Sequence, residues 1–261
     1  MLKRFAACLL VLLAATIGAA AEPPSGWKET AVLAAPEAFQ AAAADDKHVY
    51  AIGNDRIARY DRAIGKRVAV STGEAKHLNS GFLWEGKLFC AHSNYPLKPE
   101  QSEIKVLDLD SLVLSTHKDF GSFGGSLTWA VRHDGHWWCN FARYGAENGQ
   151  TLLVKLTDDW REVGRWTYPP ELIRELGRNS LSGGLWRDGS LLVTGHDNQV
   201  LFRLNVPEQG TVLKLVGQEA IPFTGQGIAT DPKTGGLVGI NRAKREVVFA
   251  RQENRPLKDG E

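Results

Sequence analysis

The chain has 261 residues, with 31 Lys and Arg against 30 Asp and Glu. This near-neutral balance gives no electrostatic footprint for nucleic acid, whose phosphates call for clustered Lys and Arg, so no nucleic-acid partner is expected. Three cysteines are too few for a disulfide scaffold, while 27 Gly and 8 Trp suit strands joined by tight turns.

In chain order, a leader comes first. Lys3 and Arg4 form a short positive region, Phe5 to Ile17 an apolar one, and Ala19-Ala20-Ala21 a small-residue cleavage signal before Glu22. The apolar run is shorter than the ~20 residues a membrane span requires. Residues 1–21 therefore read as a cleaved signal peptide, which implies a periplasmic or secreted protein. No later stretch has the length and hydropathy of a membrane span, and a monomer is expected.

Next comes "WKETAVLA", Trp27 to Ala34, a strand with no partner close by in sequence. Five segments then repeat the order strand, turn, strand. They are "FQAAAADDKHVYAIGN" from Phe39, "LNSGFLWEGKLFCAHS" from Leu78, "LTWAVRHDGHWWCNFA" from Leu127, "LSGGLWRDGSLLVTGH" from Leu181 and "GQGIATDPKTGGLVGIN" from Gly225. Glu85-Gly86, Asp134-Gly135 and Asp188-Gly189 at the centres are strong hairpin signals. A third strand follows each hairpin and a fourth follows most, as in "RIARYDRAIGKRVAV". One helix interrupts the pattern at "PPELIRELG", Pro169 to Gly177, with Pro at its start and Gly at its stop.

Four-stranded units recurring every roughly 40–54 residues are the signature of propeller blades. A β-sandwich is the competing architecture, but sandwiches do not repeat their hairpins in register. The last repeat lacks a fourth strand, and "WKETAVLA" can supply it. The sequence thus predicts an all-β fold, a five-bladed β-propeller over residues 22–254 closed by an N-terminal strand, with a disordered tail at 255–261.

In a propeller, inner strands start and second strands end on the same face. Inner strands start at Gln40, Asn79, Thr128, Ser182 and Gln226, one polar residue per repeat. Second strands end at Asn54, His92, Asn94, Asn140, Arg143, Tyr144, His196, Asp197, Asn241 and Arg242. Individually, Asn and Asp at strand ends are ordinary turn formers. Gathered with His77, they predict a ligand-binding mouth, in which Trp129 serves as a stacking platform. The long segments Asn94 to Ser102, Phe141 to Gln150 and Pro169 to Gly177 fall on the same face. Trp84, Trp137, Trp138 and Trp186 read instead as packing between blades. Cys90 and Cys139 occupy equivalent positions in neighbouring repeats, so both are expected to be free, buried thiols rather than a disulfide.

No nucleophile elbow, zincin, P-loop or zinc-cysteine motif is present. A glycosidase pair of carboxylates is not apparent either, since only Asp197 is well placed. A His base with an Arg clamp would suit proton abstraction beside a carbonyl, with His92 or His196 as base and Arg143 or Arg242 as clamp. A divalent metal held by His77, His92 and His196 is a variant of that site.

The segments "GEAKHLNSGFLWEGKLFCAHSNYP", "GSLTWAVRHDGHWWCNFARYG" and "FTGQGIATDPKTGGLVGINRAKR" resemble a group of exported bacterial propeller proteins, often labelled cycloisomerase. The resemblance covers nearly the whole chain after the leader. It implies a propeller and, from the label, cycloisomerase-like chemistry, but it assigns no catalytic residue. Two functions stay open. One is a small-molecule or carbohydrate pocket in the mouth, either a simple binder or an enzyme of the cycloisomerase, lyase or lactonase type. The other is a non-catalytic interaction propeller that holds an exported protein or polysaccharide on its rim.

Overall fold

The computed structural model of the protein describes residues 26–252. The predicted leader and the tail at 255–261 lie outside them. Strand β1 (Trp27–Ala34) opens the described chain. Blade 1 holds β2 (Ala41–Ala44), β3 (His48–Ile52), β4 (Ile57–Asp61) and β5 (Arg67–Val70). Blade 2 holds β6 (His77–Trp84), β7 (Lys87–Ser93), β8 (Ser102–Asp108) and β9 (Leu114–Gly121). Blade 3 holds β10 (Ser126–His133), β11 (His136–Ala142), β12 (Leu152–Leu156) and β13 (Glu162–Thr167). Helix α1 (Pro170–Leu176) leads into blade 4, made of β14 (Gly183–Arg187), β15 (Ser190–Thr194), β16 (Val200–Asn205) and β17 (Lys214–Ala220). Blade 5 holds β18 (Thr224–Asp231), β19 (Gly236–Asn241) and β20 (Glu246–Gln252). Its fourth strand is β1, antiparallel to β20. The fold is a five-bladed β-propeller closed by its N-terminal strand.

The repeated acidic-Gly pairs make the hairpins by the expected route. Both central residues have positive φ at Glu85-Gly86, Asp134-Gly135 and Asp188-Gly189. That is the mirror-image turn whose twist matches antiparallel strands, and Gly occupies its second position without strain.

A ring of five leaves little room at the axis, so the inner strands carry small residues. Strand β2 is four alanines, and β14 and β18 carry Gly183, Gly184, Gly225 and Gly227. A Cβ on Gly227 would lie 2.5 Å from Cβ of Ala41 in blade 1 and 2.8 Å from Cα of Ser80 in blade 2. Blade 5 therefore touches a blade that is not its neighbour, and the axis is closed at that level. One cavity lies on each side of this plug. The one at the hairpin-turn end, about 240 Å³, is mostly apolar and lined by residues such as Phe82, Val131, Leu185 and Ile228.

Apolar side chains fill the spaces between blades. Trp137 of blade 3 meets Phe89 and Trp84 of blade 2 with ring centroids 5.5 and 5.7 Å apart. Trp138 meets Trp186 of blade 4 at 4.8 Å. The four tryptophans read as inter-blade packing take that role. Cys90 packs toward Ile52 of blade 1 beside Gly81, while Cys139 packs with Phe89 and Ala91 of blade 2. Both thiols are buried and unbonded. Equivalent positions face the same way around the ring, so Cys139 points toward blade 2 while Cys90 points on toward blade 1, and the two thiols do not meet.

Two polar contacts reinforce ring closure. Arg62 of blade 1 forms a two-pronged ion pair with the fully buried Asp231 of blade 5, both distances 2.7 Å. Trp27 of β1 buries its ring against blade 4 and donates its indole N–H to Glu219 at 2.9 Å. Trp27→Ala is expected to cost about 3 kcal/mol or more, from lost burial of the ring and the lost hydrogen bond to Glu219, which keeps its ion pair with Arg203. Chemical denaturation measures this, and an unchanged midpoint would contradict closure through β1. For the cysteines, alkylation in denaturant without reductant should add two labels to the intact mass. A disulfide would give none until reduction.

Candidate functional site

The cavity above the plug has a volume of about 320 Å³. Its floor is the set of inner-strand residues Gln40, Asn79, Thr128, Ser182 and Gln226, one from each blade. Backbone bulges aim several of them. The register of β6 against β7 shifts between Leu78 and Gly81, that of β10 against β11 between Leu127 and Trp129, and that of β18 against β19 between Thr224 and Ala229. Asn79, Thr128 and Gln226 sit inside those shifts. A bulge bends its strand and redirects a side chain, here toward the axis. Gln226 even adopts φ +88, a left-handed conformation that its three contacts to blade 4 hold in place.

The floor residues also fasten the blades together. The Asn79 amide donates to the Leu127 carbonyl at 2.9 Å, and the Thr128 hydroxyl to the Leu181 carbonyl at 2.6 Å. The Gln226 amide donates to the His196 carbonyl at 2.7 Å, and the Gln40 backbone carbonyl accepts the Gly227 N–H of blade 5 at 2.9 Å, while the Gln40 side-chain amide donates within blade 1 to Asn54 Oδ1 at 2.6 Å. The polar ring is thus first an inter-blade belt. What it offers a ligand is the remaining lone pairs and the Ser182 hydroxyl.

Above the floor the wall has two different halves. Blades 2 and 3 contribute aromatic rings: His77 and Tyr95 with centroids 5.4 Å apart, then Tyr95 and Tyr144 at 5.2 Å. Burial raises the Tyr144 hydroxyl to about 12, so it stays protonated and can donate. The other half is basic. Arg178 follows α1, and Arg242 extends from blade 5 over the face of Phe39, its guanidinium carbon 3.8 Å from the ring centroid. Arg242 also lies 3.0 Å from Nε2 of His196, whose Nδ1 is 2.7 Å from the Asp197 carboxylate. A guanidinium can only donate, so Nε2 must accept and the ring proton sits on Nδ1, facing Asp197. Asp197 and His196 together hold Arg242 in position.

These contacts revise several expected roles. His196 lines the cavity, but its inward lone pair is engaged by Arg242, so it is a positioning group and not a free base. His92 does not reach the mouth. Its Nε2 accepts the Lys76 backbone N–H at 2.9 Å, its Nδ1 lies 3.1 Å from Glu103, and it borders a separate groove between blades 1 and 2. A metal shared by His77, His92 and His196 therefore has no common point to occupy, and no group of three or more His, Cys, Asp or Glu among the described residues is arranged to hold one. Arg143 is turned away and shared between Glu100 and Glu147, at 3.5 and 3.8 Å.

Trp129 is not a stacking platform. It is fully buried and lies against Gly184, where a Cβ would come within 2.7 Å of its ring. Asn140 is also fully buried, bonded to Thr128 and to the Tyr168 hydroxyl. Asn94 and Asn241 take the turn-forming role, closing local backbone at Gln101 and Lys244. Asp197 stands at the exposed rim behind His196.

His77 remains. It lines the cavity with no hydrogen bond to its ring among the described residues, and burial followed by the charge of Arg242 lowers its pKa. It is neutral at pH 7 and able to accept a proton. Sequence reasoning missed Tyr95, Gly145, Arg178, Asn179 and Ser180 as lining residues. Tyr95 and Gly145 lie in the long segments singled out, and Arg178 is the first residue beyond the helix-stopping Gly177.

His92 carries a pH prediction. Burial, then the nearby Lys105 charge, pushes it down to about 4, from about 6.5 in an unfolded chain. The unfolded state binds this proton more readily, so stability should be lost as pH falls from about 6.5 toward 4, by on the order of 3 kcal/mol. In His92→Gln, whose amide can still accept the Lys76 N–H, unfolding free energy measured from pH 7 to 4.5 should fall less steeply than in the parent. Parallel profiles would show that His92 does not carry the effect.

No helix among the described residues is long and apolar enough to cross a membrane. The chain matches no protein-family profile and no curated protein sequence. Among solved structures it is similar to the glutaminyl cyclase of Myxococcus xanthus, at 11% identity and a TM-score of 0.60, over 88% of this chain and 98% of that one. It is also similar to a Thermus thermophilus protein named as a putative oxidoreductase (glucose dehydrogenase), at 10% identity and a TM-score of 0.52, over 86% of this chain and 99% of that one. At such identities the likeness is one of architecture: this chain has a β-propeller fold, and five blades of its own.

Proposed function

We propose that the polar mouth binds a small organic anion and that its chemistry, in an exported protein, is proton transfer on that ligand. One observation carries the reading. Two guanidiniums, Arg178 and Arg242, face a cavity lined by no carboxylate, and neither has an ion-pair partner among the described residues. Arg178 stands exposed at the mouth, whereas Arg242 is half-buried, and desolvation lowers its pKa even with the Asp197 charge behind it; an anionic ligand would offset that cost. Planar forked donors suit a carboxylate in particular.

The adjacent His77 gives the site a base. A proton taken by His77 from the carbon next to a bound carboxylate leaves its electron pair delocalised into that carboxylate, where the guanidiniums stabilise the added charge. Return of the proton to another face or position is an isomerisation. Loss of an oxygen from the next carbon, which leaves with its bonding pair and takes the proton back from His77 while the carbanion pair forms a C=C bond, is an elimination. Both lie within the cycloisomerase and lyase range that the sequence resemblance suggests. No comparable feature favours the rim-binding alternative, since exposed apolar residues such as Val68, Val163 and Val216 are spread over the outer strands of different blades.

Thermal-shift titration with D-glucuronate, D-gluconate, succinate and benzoate tests the binding. At least one should raise the unfolding temperature at millimolar concentration, less so in high salt. Arg242→Ala and Arg178→Ala should each weaken that ligand roughly tenfold or more, the loss expected for a charged hydrogen bond, while the unliganded proteins still melt cooperatively. No response to any of the four anions, or an undiminished response in both variants, would overturn the proposal. With a responding ligand in deuterium oxide, exchange at the carbon next to the carboxylate should be seen by NMR and lost in His77→Gln.

A further inference from the structure

The two halves of the mouth are chemically unlike, and the division says more than the presence of an anion. We propose that the ligand is a sugar acid in ring form, a pyranose or furanose bearing a carboxylate, and that Tyr95 is the residue that selects the ring. The inference rests on the anion-binding reading above and narrows it.

Three observations converge on that class. The basic half, Arg178 and Arg242, receives a planar anionic group. The facing half is a ladder of tilted rings, His77, Tyr95 and Tyr144, supplied by blades 2 and 3. A tilted ladder has no parallel slot for a flat aromatic guest. It does present ring faces and edges to the C–H face of a puckered ring. The third observation is the floor. Asn79 and Gln226 commit an amide N–H to the belt and Gln40 one to Asn54, while the side-chain carbonyl oxygens of all three have no hydrogen-bond partner among the described residues, with Ser182 beside them. Acceptor oxygens and a hydroxyl suit a guest that carries several hydroxyl donors. A linear dicarboxylate would leave both the ladder and the floor unmatched, and a neutral sugar would leave the guanidiniums unmatched.

Size agrees with one residue of sugar. About 320 Å³ is at the small end of the ~300–1,000 Å³ range for ligand pockets. Tyr95 is the natural selector, because it is the middle ring of the ladder and is 45% exposed, with its loop tied down by Asn94 through Gln101 and Pro99. Its side chain therefore faces the mouth from a fixed backbone, without being part of the core.

The experiment compares D-glucuronate, D-glucose and succinate by isothermal titration calorimetry on the full folded chain, the parent beside Tyr95→Ala and Tyr95→Phe. Expected are binding of D-glucuronate at least about tenfold tighter than succinate and no measurable binding of D-glucose. Tyr95→Ala should bring the ratio of D-glucuronate to succinate affinity close to one, while Tyr95→Phe keeps the preference. Succinate binding as tightly as D-glucuronate, or a preference unaffected in Tyr95→Ala, overturns the sugar-acid assignment and leaves anion binding standing. Binding of neither anion overturns both.

Discussion

The inner strands of this ring approach each other so closely that Gly227 has no room for a methyl group. A Cβ there would collide with Ala41 on one side and with Ser80, two blades away, on the other. Most other features follow from that crowding. Alanine and glycine must line the axis, as in Ala41–Ala44, Gly183-Gly184 and Gly225. Large side chains are pushed outward into the wedges between blades, where the tryptophans stack. With the centre plugged, the channel cannot run through the molecule and becomes two separate cavities, one polar and one largely apolar.

The plug also explains why the polar ring is both scaffold and candidate site. Backbone groups at the tops of the inner strands lack ladder partners at the bulges, and buried backbone groups are rarely left unpaired. Asn79, Thr128 and Gln226 answer that need by bonding to a neighbouring blade. The same bulges that expose those groups rotate the side chains toward the axis. A fold of five blades thus produces a polar floor as a consequence of closing itself, and specificity must come from what stands above it.

What stands above is assembled from loops. Arg242 of blade 5 acquires its place through Phe39 beneath it and the His196–Asp197 pair beside it, which come from blades 1 and 4. Removing charge partners from the cavity side while fixing the guanidinium from behind pre-organises it for an anion, since little ordering is left for the ligand to impose. His77, lowered by burial and by that same charge, stays neutral in the presence of two guanidiniums.

The sequence by itself determined the blades. Period-two apolar runs, acidic-Gly turns and the repeat spacing are local properties, so strand, hairpin and helix positions, the orphan first strand and even the one-per-blade set from Gln40 to Gln226 were legible without coordinates. Side-chain direction was not. His92 and His77 both lie in strands of blade 2 near the mouth, yet only His77 faces it, because His77 pairs with Ser93 and His92 with Leu78, one step along the ladder, and successive positions face opposite sides. Trp129 lies one residue from Thr128 and points into the opposite wedge, against Gly184. Arg178 reached the cavity only because α1 folds back over blade 3 and returns the chain to the mouth, anchored by Asn148 to the carbonyls of Gly177 and Asn179. A one-residue shift reverses the face of a strand, and a loop's course depends on contacts remote in sequence, so the choice of floor was written locally while the walls were decided by tertiary packing.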